Sequence, residues 1–124
     1  ATILGAYQVA ENGDLANWKL PGAKLGSIGG AMDIAVGAKR VLAMMTHVTS
    51  KGEPKIVKSI TYPMTARRCV THIFTDLAVI SVTPAGLVLE EIAPGLTIAD
   101  VQAVTEPALI PGKRLVAPAR VSVR

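Results

Sequence analysis

The stretch from residue 77 to residue 92 constrains the fold most. Residues 77–82 and 87–92 are aliphatic and β-branched runs, separated by Thr83-Pro84-Ala85-Gly86. Proline presets the backbone for a turn and glycine closes it at low steric cost. The segment therefore reads as a β-hairpin. A hairpin alone is marginal in water, so the rest of the chain must extend and cover it.

The remaining segments supply candidates for that cover. Residues 2–9 read as a strand that begins abruptly at residue 1, as if the chain entered an existing strand. Glu11-Asn12-Gly13-Asp14 reads as a turn, because Asn-Gly tolerates positive φ. Pro21-Gly22 is a break, and Gly26-Ser27-Ile28-Gly29-Gly30 is a glycine-rich loop. Behind it, Ala31, Ile34, Ala35 and Ala38 fall at helical spacing and predict a short helix over 31–38. Residues 40–46 read as a buried strand with Met44 and Met45 as core filler. A polar loop follows at 49–54, then a short strand within 55–60 and irregular chain at 63–68. Residues 69–74 are apolar, and periodicity leaves helix and strand both open. Thr97 and Asp100 stand at capping-box spacing and predict a helix to about residue 104. Strands mixed with short helices point to an α/β domain.

The 13 Lys+Arg against 9 Asp+Glu give a net charge of +4, which invites a nucleic-acid reading. The distribution argues against it. Lys113, Arg114, Arg120 and Arg124 lie in the last twelve residues with no acid among them. Removing these four leaves nine bases against nine acids, a neutral body with a basic tail. The four aromatics, Tyr7, Trp18, Tyr62 and Phe74, are not interleaved with a basic run, so a stacking platform for single strands is not expected. No run of 18 apolar residues is present, and no signal peptide is visible, so no membrane partner is expected. Cys69 is the single cysteine, which excludes an internal disulfide and a multi-cysteine metal site. A reducing compartment, and hence a cytoplasmic location, is the expectation.

Few residues present a chemical motif. His47 and His72 lack a carboxylate or cysteine at ligand spacing and read as structural, so no metal is expected. Cys69 reads as a small buried hydrophobe. Glu90 and Glu91 point to opposite faces of a strand and do not form a carboxylate pair. Asp33 suits the first turn of a helix. The loop at 26–30 is the most informative feature. It reads either as a tight structural turn or as an anion or oxyanion site at a helix start.

Whole segments then match a known family in order. These are Leu4-Gly5-Ala6-Tyr7-Gln8-Val9, Gly13-Asp14-Leu15-Ala16-Asn17-Trp18, Pro21-Gly22 and Gly29-Gly30-Ala31-Met32-Asp33. Pro54-Lys55-Ile56, Tyr62-Pro63-Met64-Thr65, Cys69-Val70 and Thr75-Asp76-Leu77-Ala78-Val79 follow. Pro84-Ala85-Gly86-Leu87 and Ala93-Pro94-Gly95-Leu96-Thr97 complete the set. The chain resembles the B-type (beta) subunit of 3-oxoacid coenzyme A transferases, the group acting on succinyl-CoA:3-ketoacid, acetate:acetoacetate and 3-oxoadipate pairs. The likeness runs over residues 2–110; residues 111–124 form an unmatched basic tail, expected to be flexible.

The resemblance implies an α/β fold with an open, mixed sheet and flanking helices. It implies an A-type partner chain, an oligomer, and an active site between the two chains. Coenzyme A thioesters would be substrates, with no permanently bound cofactor. It also implies nucleophilic catalysis by a glutamate that forms a glutamyl-CoA thioester. The family's backbone oxyanion donor falls on Gly30, and Gly29, Gly30, Ala31 and Asn17 become the CoA- and substrate-binding residues. This tips the reading of the glycine loop toward an anion site. The family's nucleophile lies in a Ser-Glu-Asn-Gly segment upstream of the first matched motif and is not in this chain. Ala10-Glu11-Asn12-Gly13 looks similar, but its place in the order makes Glu11 a turn residue. The chain is therefore expected to be the C-terminal part of a B-type subunit, inactive alone. The alternative is a truncated remnant that acts only as a structural or self-associating domain.

Overall fold

A computed structural model describes residues 2–16, 40–62, 64 and 66–116. The loop at 26–30 and the helix expected over 31–38 lie outside these residues. Strand β1 (Thr2–Gly5) is followed by β2 (Gln8–Ala10) and β3 (Leu15–Ala16). Then come β4 (Val41–Met44), β5 (Ile56–Val57) and β6 (His72–Phe74). The hairpin strands are β7 (Ala78–Thr83) and β8 (Gly86–Ile92), followed by helix α1 (Ile98–Ala103), β9 (Leu109–Pro111) and the single turn α2 (Lys113–Val116).

These strands form two sheets. The larger has the order β1-β4-β6-β7-β8-β9 and the smaller β3-β2-β5. β1, β4 and β6 run parallel, whereas β6, β7 and β8 are antiparallel and β9 lies parallel to β8. This is the mixed sheet implied by the resemblance, in a mixed α/β chain. One face of the larger sheet presents Val41, Ala43, Ile73, Ile80, Leu87 and Leu89, all fully buried. They join Val9, Leu15 and Ile56 of the smaller sheet and Val101 of α1 in one core cluster. Alternating burial along β4, β7 and β8 follows from the two-residue period of a strand.

Local chemistry decides several details. The hairpin turn is Pro84-Ala85, with Thr83 paired to Gly86 and Gly86 at φ +131°. Thr97 caps α1: its hydroxyl accepts from the Asp100 amide at 3.1 Å, and the Asp100 carboxylate accepts from the Thr97 amide at 2.9 Å. Gly13 sits at φ +92°, and a Cβ there would lie 2.9 Å from the Val70 carbonyl oxygen. The amides of Cys69 and Val70 both donate to its carbonyl, which ties the first turn to the segment leading into β6.

Three expectations are corrected. The run at 2–9 is not one strand; it changes sheets at Ala6-Tyr7. All three residues of β2 are buried, and it forms the centre of the smaller sheet between β3 and β5. Met44 is not core filler; it is 53% exposed because it alternates away from Val41 and Ala43, while Met45 packs on the core. Cys69 is half-buried rather than fully buried. The open question at 69–74 resolves as strand β6. There the Thr71 hydroxyl and amide both donate to the Val41 carbonyl, at 3.0 and 2.9 Å, drawing the segment alongside β4. Pro111 ends β9, α2 follows, and residues 117–124 lie outside the described residues.

Candidate functional site

In open sheets with parallel strands, ligands bind beyond the carboxyl ends of the strands. Here β1, β4 and β6 deliver Tyr7, Thr46-His47 and Thr75-Asp76 to that edge. A cleft of about 350 Å³ opens there, lined by Tyr7, Thr46, Thr49, Lys51, Glu53 and Lys55, with Tyr62 at its rim. Gln8 secures that rim: its side-chain carbonyl accepts from the Thr61 and Tyr62 amides at 2.9 and 3.1 Å.

Beside the cleft, His47 is 0% exposed and joins three segments of chain. Its amide donates to the Asp76 carboxylate at 2.9 Å. Its ring lies 2.8 Å from the Thr75 hydroxyl through Nδ1 and 2.7 Å from the Thr105 hydroxyl through Nε2. The partners assign the tautomer. The Thr105 hydroxyl donates to the Val101 carbonyl at 2.7 Å, so it accepts from Nε2–H. Nδ1 is then the acceptor for the Thr75 hydroxyl, which itself accepts the Leu77 and Ala78 amides at 3.0 Å. A protonated ring would turn Nδ1 into a donor facing a hydroxyl already occupied by two amides. Burial also pushes the ring's pKa below its usual value, against the pull of Asp76. His47 is a neutral structural residue with each ring nitrogen satisfied.

Lys55 is held more lightly. Its amide donates to the His47 carbonyl at 3.1 Å, and its carbonyl accepts from the Val9 amide at 3.0 Å. Its backbone thus links the smaller sheet to the end of β4. Its ammonium donates to the Thr46 hydroxyl at 3.3 Å and stands 5.6 Å from the centre of the Tyr7 ring. Partial burial lowers its pKa, while the negative charge of Asp76 raises it. The Thr49 hydroxyl accepts the Lys51 and Glu53 amides at 3.2 and 3.1 Å, which leaves its proton available to a ligand. The cleft therefore offers an ammonium and a hydroxyl as donors, suited to an anion.

The sequence-derived site residues Asn17, Gly29, Gly30 and Ala31 all lie outside the described residues. Ala16, the last described residue before them, accepts the Tyr7 amide at 2.9 Å. Glu11 lies in the first turn, its amide bonded to the Val57 carbonyl, away from the carboxyl-end cleft. His72 is half-buried against the Thr71 hydroxyl. Among the described residues, no group of three His, Cys, Asp or Glu side chains could hold a metal. Sequence reasoning missed Tyr7, Lys55 and Asp76 as neighbours, since only the strand order reveals that they share an edge.

The coenzyme A transferase family model matches residues 1–103. The B-type subunit of the 3-oxoadipate CoA-transferase of Acinetobacter baylyi is 53% identical over 110 residues, covering 87% of this chain and 50% of that protein. A probable coenzyme A transferase beta subunit of Bacillus subtilis is 47% identical over 105 residues, covering 85% and 48%. The chain thus spans about half the length of these relatives. Among solved structures, an acyl-CoA transferase of Escherichia coli O157:H7 superposes with a TM-score of 0.75 at 20% identity, covering 92% of this chain and 26% of that one. The decarboxylase AibA/AibB superposes at 0.69 and 18% identity, covering 92% and 49%. Two different activities on one backbone mean that the fold alone does not choose the reaction. The family follows from the sequence match over residues 1–103: this chain belongs to the coenzyme A transferase family.

Proposed function

We propose that this chain is the C-terminal part of a B-type 3-oxoacid CoA-transferase subunit, working with an A-type partner. The observation that carries the reading is the 53% identity to the B-type chain of a 3-oxoadipate CoA-transferase. The substrates are an acyl-CoA, such as succinyl-CoA, and the carboxylate of a 3-oxoacid. A glutamate carboxylate outside this chain attacks the thioester carbonyl, forming an acyl-glutamyl anhydride and releasing CoA thiolate. The thiolate attacks the glutamyl carbonyl, forming glutamyl-CoA and releasing the first acid. The incoming carboxylate attacks that thioester and again frees the thiolate. The thiolate then takes the new acyl group and restores the glutamate. One hard exchange becomes several easier acyl transfers.

Each attack places negative charge on a carbonyl oxygen, and a backbone N–H preorganised at Gly30 stabilises it. Gly29 and Ala31 line the same wall, and Asn17 contacts the substrate. The segment carrying them leaves from Ala16, which is bonded to Tyr7 of the cleft. The test uses the complete B-type chain assembled with its A-type partner. CoA exchange between succinyl-CoA and acetoacetate or 3-oxoadipate is measured. Gly30→Val is expected to lower kcat about 100-fold, the scale of losing one oxyanion donor, with the melting temperature unchanged. An unaltered kcat removes Gly30 from the mechanism. No exchange by the unmodified assembly with either acid overturns the transferase reading.

A further inference from the structure

We infer that the cleft at the carboxyl ends of β1 and β4 takes the second carboxylate of a dicarboxylic acid substrate, and that Lys55 determines this specificity. The inference rests on the transferase reading and adds a substrate class to it. Three observations carry it. First, the Lys55 ammonium has three N–H donors, of which one is engaged among the described residues, with Thr46 at 3.3 Å. The Tyr7 ring at 5.6 Å accommodates its charge without neutralising it. The Asp76 carboxylate accepts the His47 amide, which anchors it while its negative charge still acts on Lys55. Second, the Thr49 hydroxyl has accepted two amides and retains its proton as a donor. Third, Lys51, Glu53 and Lys55 give the lining side chains a net charge of +1, which the Asp76 charge acting on Lys55 partly offsets.

A phosphate of coenzyme A is the competing anion. Phosphate sites are often built from arginine forks, glycine-rich backbone nests or helix N-termini, though lysine also binds phosphate as a point charge. Among the described residues, the cleft is lined by none of the first three. Its volume of about 350 Å³ suits a short acid rather than a nucleotide. Lys55 is further positioned by backbone bonds to His47 and Val9, so its ammonium emerges from a fixed point between the two sheets.

The assembled transferase provides the test, with acetoacetyl-CoA as donor. The acceptors are 3-oxoadipate and 3-oxohexanoate, acids of equal length with and without the second carboxylate. Lys55→Met is expected to raise KM for 3-oxoadipate about tenfold, the equivalent of about 1.4 kcal/mol. The kcat, the KM for 3-oxohexanoate and the KM for acetoacetyl-CoA stay near their unmodified values. Lys55→Arg restores most of the loss. An equal rise for both acids assigns Lys55 a structural role and overturns the inference. So does a rise confined to acetoacetyl-CoA, or no change. Equilibrium binding of adipate and hexanoate to the same assemblies reads the site without turnover. Tighter binding of adipate, lost in Lys55→Met, supports the inference even if no exchange occurs; equal binding of the two acids overturns it.

Discussion

The hairpin with its following helix and the carboxyl-end cleft are built by opposite means. From Ala78 to Ala103, each structural decision is taken by near neighbours. Pro84-Ala85 turns the chain, Gly86 takes φ +131°, and Thr97 and Asp100 cap α1 across three residues. At the cleft, Tyr7, Thr46 and Lys55 come from three separate stretches of chain, and the Asp76 charge that acts on Lys55 comes from a fourth. His47, next to Thr46, bonds to Lys55, Thr75 and Asp76 and also to Thr105, 58 residues away. Local decisions are repeated many times and each carries little energy. Distant ones are few, and each holds several segments at once.

That contrast sets an order of expected effects. The largest belongs to His47→Ala, which leaves the buried Thr105 hydroxyl and the partly buried Thr75 hydroxyl without their ring partner and opens a cavity. A loss of about 3–5 kcal/mol is expected from urea denaturation, the range for truncating a large buried group. His47 also gives the contrast a pH signature. The folded pKa is lowered, so the unfolded chain binds the proton first as pH falls below 6.5. The contribution of the neutral ring is fully present above that pH and is lost as pH drops through the folded value. Denaturation midpoints of the unmodified chain should fall with acidification over that window, and the His47→Ala midpoint should lack this component.

Gly13→Ala comes next, because it combines both kinds of decision. Its φ of +92° is a local strain for alanine, and its Cβ would press the Val70 carbonyl from 2.9 Å. A loss of about 2 kcal/mol is expected in the same measurement. Thr97→Ala should cost about 1 kcal/mol, the scale of one N-cap. A Thr97→Ala loss equal to that of His47→Ala would break the comparison. A Gly13→Ala loss between the two would sharpen it.

The same division decides what the sequence made legible. The hairpin, the first turn and the capping box were readable because their determinants are adjacent. The ordered family motifs gave the mixed sheet and the family. Met44 misled because an apolar residue in a strand does not declare its face; the two-residue period placed it opposite Val41. The sheet change at Ala6-Tyr7 was hidden because both halves of the run are apolar. Lys55 carries no motif of its own. Its role depends on β5 lying parallel to β2 and on β4 ending two residues before Thr46, which only pairing reveals. The glycine loop was the reverse: its motif was conspicuous, while its residues lie outside those described.

The corner at Ala6-Tyr7 has a consequence for how the cleft can vary. Tyr7 is pinned between β1, registered on β4, and β2, registered on β5, which also carries the chain away from Lys55. Strand register changes in whole residues, about 3.3 Å each, and every single step reverses the side chain's face. The ring cannot drift gradually from beneath the ammonium. The two sheets act as a ruler with coarse divisions, so the spacing of the cleft is inherited as a digit rather than a dial. Selectivity can then be retuned only by exchanging side chains at fixed marks, of which residue 55 is one.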